Sequence, residues 1–238
     1  MTQRSLEQIL LADGTRLPLT IAAPESAIRG GIVVEPDARG VTDAVWQLAA
    51  GLAGDGWLAV IPHLYHRDGI DELPGEFPGA GETLGTCVER LRVHSLHADT
   101  DAALGWLARR GVSADRIGVV GFGLGGTAAL LVATQHSLGA AVTIDGIGVV
   151  VPVSVAANLP TLVDVAPELR CPWLGIYRRN GAVPEEEVRK LQDAAHSAQV
   201  ATDLVHCALD TDGAFDTDRS LAPEAWARTL NWFGSHLR

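Results

Sequence analysis

Short apolar runs, broken by glycine, proline and acid, recur along the whole chain. Residues 6–11 and 16–21 flank Ala12-Asp13-Gly14-Thr15 and predict an opening β-hairpin. Residues 30–34, 57–61, 117–120, 140–144, 173–177 and 201–207 are short and largely apolar, as strands buried on both faces are. Between them, residues 41–54, 98–110, 126–136 and 184–197 carry apolar side chains at helical spacing. Gly54 and Gly111 stand where the first two helices should stop, and Pro184 with three glutamates opens the fourth. Residues 223–236 form a closing amphipathic helix. One long loop is expected over 63–85, which includes DGIDELPGEFPGAG, and an irregular apolar stretch runs on to Val165. Strands that alternate with helices demand a central, mostly parallel sheet with helices on both faces. There is no repeat, low-complexity tract or linker, so one α/β domain over residues 1–238 is the simplest organisation.

Composition narrows the partners. At 238 residues the chain can bury a full core, and 47% hydrophobic with 20% charged residues suits a globular α/β domain. A formal charge of −11, spread rather than gathered in a tail, repels phosphate backbones and anionic lipid surfaces. No nucleic acid or membrane partner is therefore expected. No run of eighteen apolar residues could cross a bilayer, and MTQRSLEQILLADGTRL lacks the pattern of a secretory signal. Cys87, Cys171 and Cys207 are odd in number and form no CxxC pair, which fits buried thiols in a reducing cytoplasm. The expectation is a cytoplasmic protein for a small-molecule ligand or substrate, without metal or cofactor and compatible with a homo-oligomer.

The segment RIGVVGFGLGGTA, residues 116–128, joins an apolar run to a helix through a glycine cluster. Gly121, Gly123 and Gly126 match the GxGxxG turn that cradles a dinucleotide pyrophosphate, and Asp145 follows at roughly the 20-residue spacing of a ribose-binding acid. That signal is weak in a glycine-rich chain, and two βα units precede it where such a fingerprint usually opens the first. The same turn also matches a nucleophile elbow, strand–Gly-x-nucleophile-x-Gly–helix, with Gly123 where the attacking residue would stand.

The succession ADGTRLPL, GIVVEPDARGVTD, GWLAVIPHLYHRDG, DRIGVVGFGLGG, CPWLGIY and PEAWARTLNWFGSHL resembles the dienelactone hydrolases in order and spacing, over nearly all of the chain. The resemblance implies an α/β-hydrolase fold, with a Cys–Asp–His triad that opens lactones and esters and a carboxylate that holds the resting thiol. Carried over residue by residue, the Cys position falls on Gly123. The Asp position falls in Arg178-Arg179-Asn180-Gly181-Ala182, with Asn180 nearest in shape. The His position falls near Asp212, and no histidine lies between His206 and His236. Nucleophilic catalysis needs an attacking atom, a base in reach and a group that orients the base. None of the three is present at these positions, so a covalent mechanism is not expected.

Other parts of such a site need no triad. An oxyanion hole of backbone N–H groups would use Leu124, next to Gly123, and the loop near Ala38. The thiol-holding carboxylate of the family aligns with Asp37. Asp37, Asp145 and Asp212 are then candidate acid/base groups around one cleft, since crowded carboxylates can divide donor and acceptor roles. Each also reads as a turn residue that bonds its own backbone. His63, Tyr65, His66 and Arg67 of the PxLYHR loop either line the mouth of the cleft or anchor the sheet edge. Two classes of function remain open: a proton-transfer, cyclising or atypically hydrolysing enzyme without covalent chemistry, and an inactive binding protein.

Overall fold

The opening segments pair as the apolar pattern requires. β1 (Gln3–Leu10) and β2 (Arg16–Ala23) run antiparallel, closed by a turn in which Leu11 N–H donates to Thr15 O at 2.9 Å. Thr15 N–H in turn donates to Asp13 Oδ1 at 2.9 Å. The computed structural model describes residues 3–70, 84–152, 159–179, 181–207 and 223–238.

Six further strands complete the sheet: β3 (Gly30–Glu35), β4 (Trp57–Pro62), β5 (Ile117–Phe122), β6 (Ala140–Ile144), β7 (Trp173–Arg178) and β8 (Thr202–Cys207). Their order is β1-β2-β4-β3-β5-β6-β7-β8. All pairs from β4 to β8 are parallel, and only β1 with β2 and β2 with β4 are antiparallel. β3, β4, β5 and β6 are buried at every position, which explains why they read as unbroken apolar runs. α1 (Asp43–Gly54) and α7 (Pro223–His236) cover one face, over Ile32, Val34, Trp57 and Val142. α3 (Val93–Arg109), α4 (Leu124–Gln135), α5 (Leu162–Val165) and α6 (Glu185–Ala195) cover the other. α4 is buried on every side from Leu124 to Thr134, as a helix without a polar face must be.

Two elements depart from the pattern reading. α2 (Leu84–Arg90) lies at the end of the expected long loop, and α3 begins at Val93 rather than near Ala98. Both follow from a satellite cluster in which Cys87, Val88, Leu91 and Leu96 pack on Tyr65, Leu124 and Leu131. Tertiary burial thus extends helices through segments whose local sequence is ambiguous. The three cysteines are buried thiols that form no disulfide. Among the described residues no helix is long and apolar enough to cross a membrane.

The PxLYHR loop anchors the sheet. Arg67 grips Asp99 of α3 with two bonds of 2.9 Å, and His66 Nε2 lies 3.2 Å from both Asp99 oxygens. His66 Nδ1 faces Arg16 O at 3.1 Å, while His63 Nε2 meets Thr20 Oγ1 at 2.8 Å. Asp99 is 3% exposed, so removing it strands two cationic or polar partners in a dry pocket. Arg67 keeps 28% of its side chain in solvent, which moderates the cost. Asp99→Ala should lose roughly 1–3 kcal/mol of stability, seen as a lowered midpoint in chemical denaturation. An unchanged midpoint would count against this anchoring.

Candidate functional site

The carboxyl ends of β3, β5, β6 and β7 lie side by side, and the loops that leave them bring four groups together. At the end of β5 the chain turns sharply into α4 through Gly123, with φ 56° and ψ −121°. Side chains rarely adopt such angles, and a glycine does so without a Cβ penalty. The surrounding glycines serve close packing. A Cβ at Gly121 would strike Gly125 O, one at Gly125 would strike Glu35 O and lie 2.7 Å from Pro36 O, and one at Gly126 would sit 2.9 Å from Ile144 O. α4 therefore rests directly on the backbones of β3, β5 and β6.

Gly123 occupies the N-cap of α4 yet offers no side chain to cap it. Asp37, from the turn after β3, does so instead: Leu124 N–H donates to Asp37 Oδ1 at 3.0 Å. A carboxylate at a helix amino terminus meets both an unsatisfied donor and the positive end of the helix dipole. The same oxygen occupies the space where a Cβ of residue 123 would go, with Asp37 Cγ 3.1 Å from that position. Asp37 thus stands where the side chain of an attacking residue would stand. The sequence assigns the Leu124 amide to an oxyanion hole. In the structure Asp37 takes it.

The turn that carries Asp37 is held from several sides. Gly40 N–H donates to Asp37 O at 2.8 Å, and the Tyr65 hydroxyl donates to Ala38 O at 2.5 Å. Tyr65 is buried, and burial together with nearby Cys87 and Asp37 pushes its hydroxyl well above its ordinary pKa, so it stays a donor.

Asp145 follows directly from β6, and Gly123 N–H donates to the preceding Ile144 O at 3.0 Å, so the two positions are neighbours. Among the described residues Asp145 is the non-glycine residue with positive φ, 46°, which Asp tolerates better than most. Its carboxylate is spent on β7: Oδ1 accepts from Arg178 N at 2.9 Å and Oδ2 from Arg178 Nε at 2.6 Å. Arg178 is 21% exposed and held in this pair. Tyr177 beside it is buried, its hydroxyl has no hydrogen-bond partner among the described residues, and burial first, then Asp145, raises its pKa. Thr127 was not singled out from the sequence. Its buried hydroxyl donates to Ile147 O at 2.6 Å and accepts from Ile147 N at 3.1 Å, tying the loop after β6 to α4. Nothing in its sequence context marks it.

Asp37, Ala38, Gly123, Leu124 and Asp145 therefore gather at one end of the sheet, while Asn180 and Asp212 lie outside the described residues. The dinucleotide reading of Gly121, Gly123 and Gly126 fits poorly. A pyrophosphate needs the amino terminus of α4, and the Asp37 carboxylate already holds it. Among the described residues no group of three or more His, Cys, Asp or Glu is placed to hold a metal ion.

Comparison with known proteins gives a consistent picture. Residues 17–237 match the family described as "Dienelactone hydrolase family". A "Putative carboxymethylenebutenolidase" of Salmonella typhi is 28% identical over 238 residues, covering 94% of this chain and 85% of that protein. One of the same name from Escherichia coli is 28% identical over 211 residues, covering 85% and 75%. The crystal structure of a "Putative Dienelactone Hydrolase" from Klebsiella pneumoniae superposes with a TM-score of 0.84 at 29% identity, covering 98% of this chain and 99% of that one.

Proposed function

Since this chain belongs to the dienelactone hydrolase family, with an α/β-hydrolase fold, we propose that it is a divergent member that acts on a small molecule without a covalent intermediate. In this reading Gly123 is a nucleophile elbow that has lost its nucleophile, and Asp37 is the acid/base group that has taken its place. The observation that carries it is the position of Asp37, on the Leu124 amide and in the space of a residue-123 side chain.

The chemistry follows from that position. Oδ1 is anchored by the amide, which leaves Oδ2 to take a proton. A carboxylate is suited to take a proton from an acidic C–H, such as one conjugated to an unsaturated lactone carbonyl. When Oδ2 accepts that proton, the electron pair delocalises onto the lactone oxygen. Asp37, now neutral, holds the Leu124 N–H less tightly, and the amide can serve the new oxyanion. Returning the proton to a different carbon completes an isomerisation. Names such as carboxymethylenebutenolidase point to a lactone that bears a carboxylate. Arg178 suits that group, because Asp145 engages only its Nε edge and the Nη pair is the end that grips carboxylates. Asp145 then positions Arg178 rather than moving protons.

A second reading, a binding protein without catalysis, is favoured by one fact: both carboxylates are already internally partnered. One set of assays separates the two. Activated esters and lactones should react at background rates, and intact mass spectrometry should find no acyl-enzyme. α-Angelica lactone, a simple butenolide, should exchange ring protons with D2O faster in the presence of the protein. Binding without exchange would leave the second reading, and a trapped acyl-enzyme would overturn both.

A further inference from the structure

Beneath Asp37 lies a second carboxyl group that the proposed chemistry does not use. Glu35 ends β3, is 1% exposed, and pairs with Gly121 of β5. Its carboxyl meets the hydroxyl of Thr100 on α3, with Thr100 Oγ1 2.8 Å from Glu35 Oε1. The same Oγ1 lies 2.9 Å from Leu96 O, one turn earlier in α3. A threonine hydroxyl has one hydrogen, so it cannot donate to both acceptors. The geometry is satisfied when Thr100 donates to Leu96 O and Glu35 donates its own proton to Thr100 Oγ1. That requires a neutral carboxylic acid.

The surroundings agree. β3, β4, β5 and α4 carry no ionisable side chain other than Glu35 itself. From α3 the charged group that faces Glu35 is Asp99, whose negative charge disfavours a second one nearby. Asp99 holds Arg67 and His66, so these groups are engaged by Asp99 rather than by Glu35. Asp37, two positions along the chain, adds no positive charge. Burial first, and Asp99 in addition, raise the Glu35 carboxyl from 4.5 to about 7, more than a bond donated by Thr100 to the ionised form would lower it.

We propose that Glu35 is a positioning residue for Asp37, holding a proton that locks β3 to α3 under the turn that carries Asp37. The link to Asp37 rests on the acid/base reading of that residue, whereas the proton on Glu35 does not. Ionising Glu35 would turn the Thr100 hydrogen away from Leu96 O and set a bare charge against Asp99. The carbonyls of Glu35 and Pro36 abut Gly125 in the first turn of α4, so the disturbance would reach the Asp37–Leu124 contact directly.

The pH dependence has a definite sign. A carboxyl raised from 4.5 to about 7 in the folded chain binds its proton more tightly there than when unfolded. The stability it contributes is complete below about 4.5 and lost as pH rises to about 7. Glu35→Gln mimics the neutral acid, since its amide can donate to Thr100 Oγ1. The melting temperature of Glu35→Gln minus that of wild type should therefore climb from pH 5 to pH 7 and then level off. Isotope-edited infrared spectra should show a protonated-carboxyl band at pH 6 in wild type that Glu35→Gln lacks. The Leu124 amide should exchange with deuterium at least several-fold faster at pH 8 than its chemical pH dependence predicts, in wild type only. A flat melting difference with no protonated-carboxyl band would overturn the proton on Glu35. If the band is present but Leu124 exchanges alike in both proteins, the positioning of Asp37 is overturned. The infrared band needs only wild type, so the first claim stays testable should Glu35→Gln fold poorly.

Discussion

Gly123→Cys should produce no hydrolase and a distinctly less stable protein. Restoring a thiol at the strand-to-helix turn looks like the obvious repair. Two costs oppose it. The new side chain must adopt φ 56° and ψ −121°, a strained conformation worth about 1–3 kcal/mol. Its Cβ also claims the space of Asp37 Oδ1, so Asp37 must leave the Leu124 amide and forfeit a charge-assisted hydrogen bond of about 1.5–3 kcal/mol. The expected loss is about 2.5–6 kcal/mol, a fall in melting temperature of roughly 5–24 °C for a chain of this size. Combining Gly123→Cys with Asp37→Ala should cost less than the sum of the two, because the collision then disappears. Hydrolysis should stay at background in both, for want of a histidine to activate the thiol. A Gly123→Cys protein as stable as wild type, or one that opens esters with a burst, would refute the placement of Asp37.

Asp37→Asn should slow any proton transfer at this site by about 10²–10⁴-fold while barely touching stability. Asparagine keeps the shape, and its Oδ1 still accepts the Leu124 N–H. What it loses is the capacity to take a proton and the attraction of a negative charge to the start of α4, worth about 0.3–1 kcal/mol. Comparing deuterium exchange into the butenolide ring for wild type and variant, alongside their melting curves, reads both effects at once. A variant that keeps full exchange activity would remove Asp37 as the acid/base group. A variant that loses activity only by unfolding would leave the question to Oδ2-preserving changes around it, such as Tyr65→Phe, which should shift the 37–40 turn without removing the carboxylate.

Much of the fold was legible in the residues. Buried parallel strands announce themselves as unbroken apolar runs, and β3 to β6 are buried at every position. The hairpin around Asp13 and Gly14, and the turn at Gly123, could be read from local chemistry alone. Less legible were α2 and the first turns of α3, where a satellite core around Tyr65 and Leu124 decides a helix that local spacing leaves undecided. The pairing of Arg178 with Asp145 was not legible, because nothing local to either residue announces a 2.6 Å bond across 33 residues.

The sequence by itself determined that residue 123 carries no side chain and that no histidine stands between 206 and 236. It also determined the alternating architecture, because periods of two and 3.6 are local properties of the chain. Only the tertiary structure decided what stands against Gly123 and the start of α4. Asp37 reaches Leu124 across 87 residues and Glu35 reaches Thr100 across 65, contacts that depend on which strands become neighbours and on how closely α4 rests on them. Strand order and interelement distance are set by the packing of the whole core. They leave no periodic trace in the residues they join, so the carboxylate on the helix end and the proton held beneath it emerge only when the sheet is assembled.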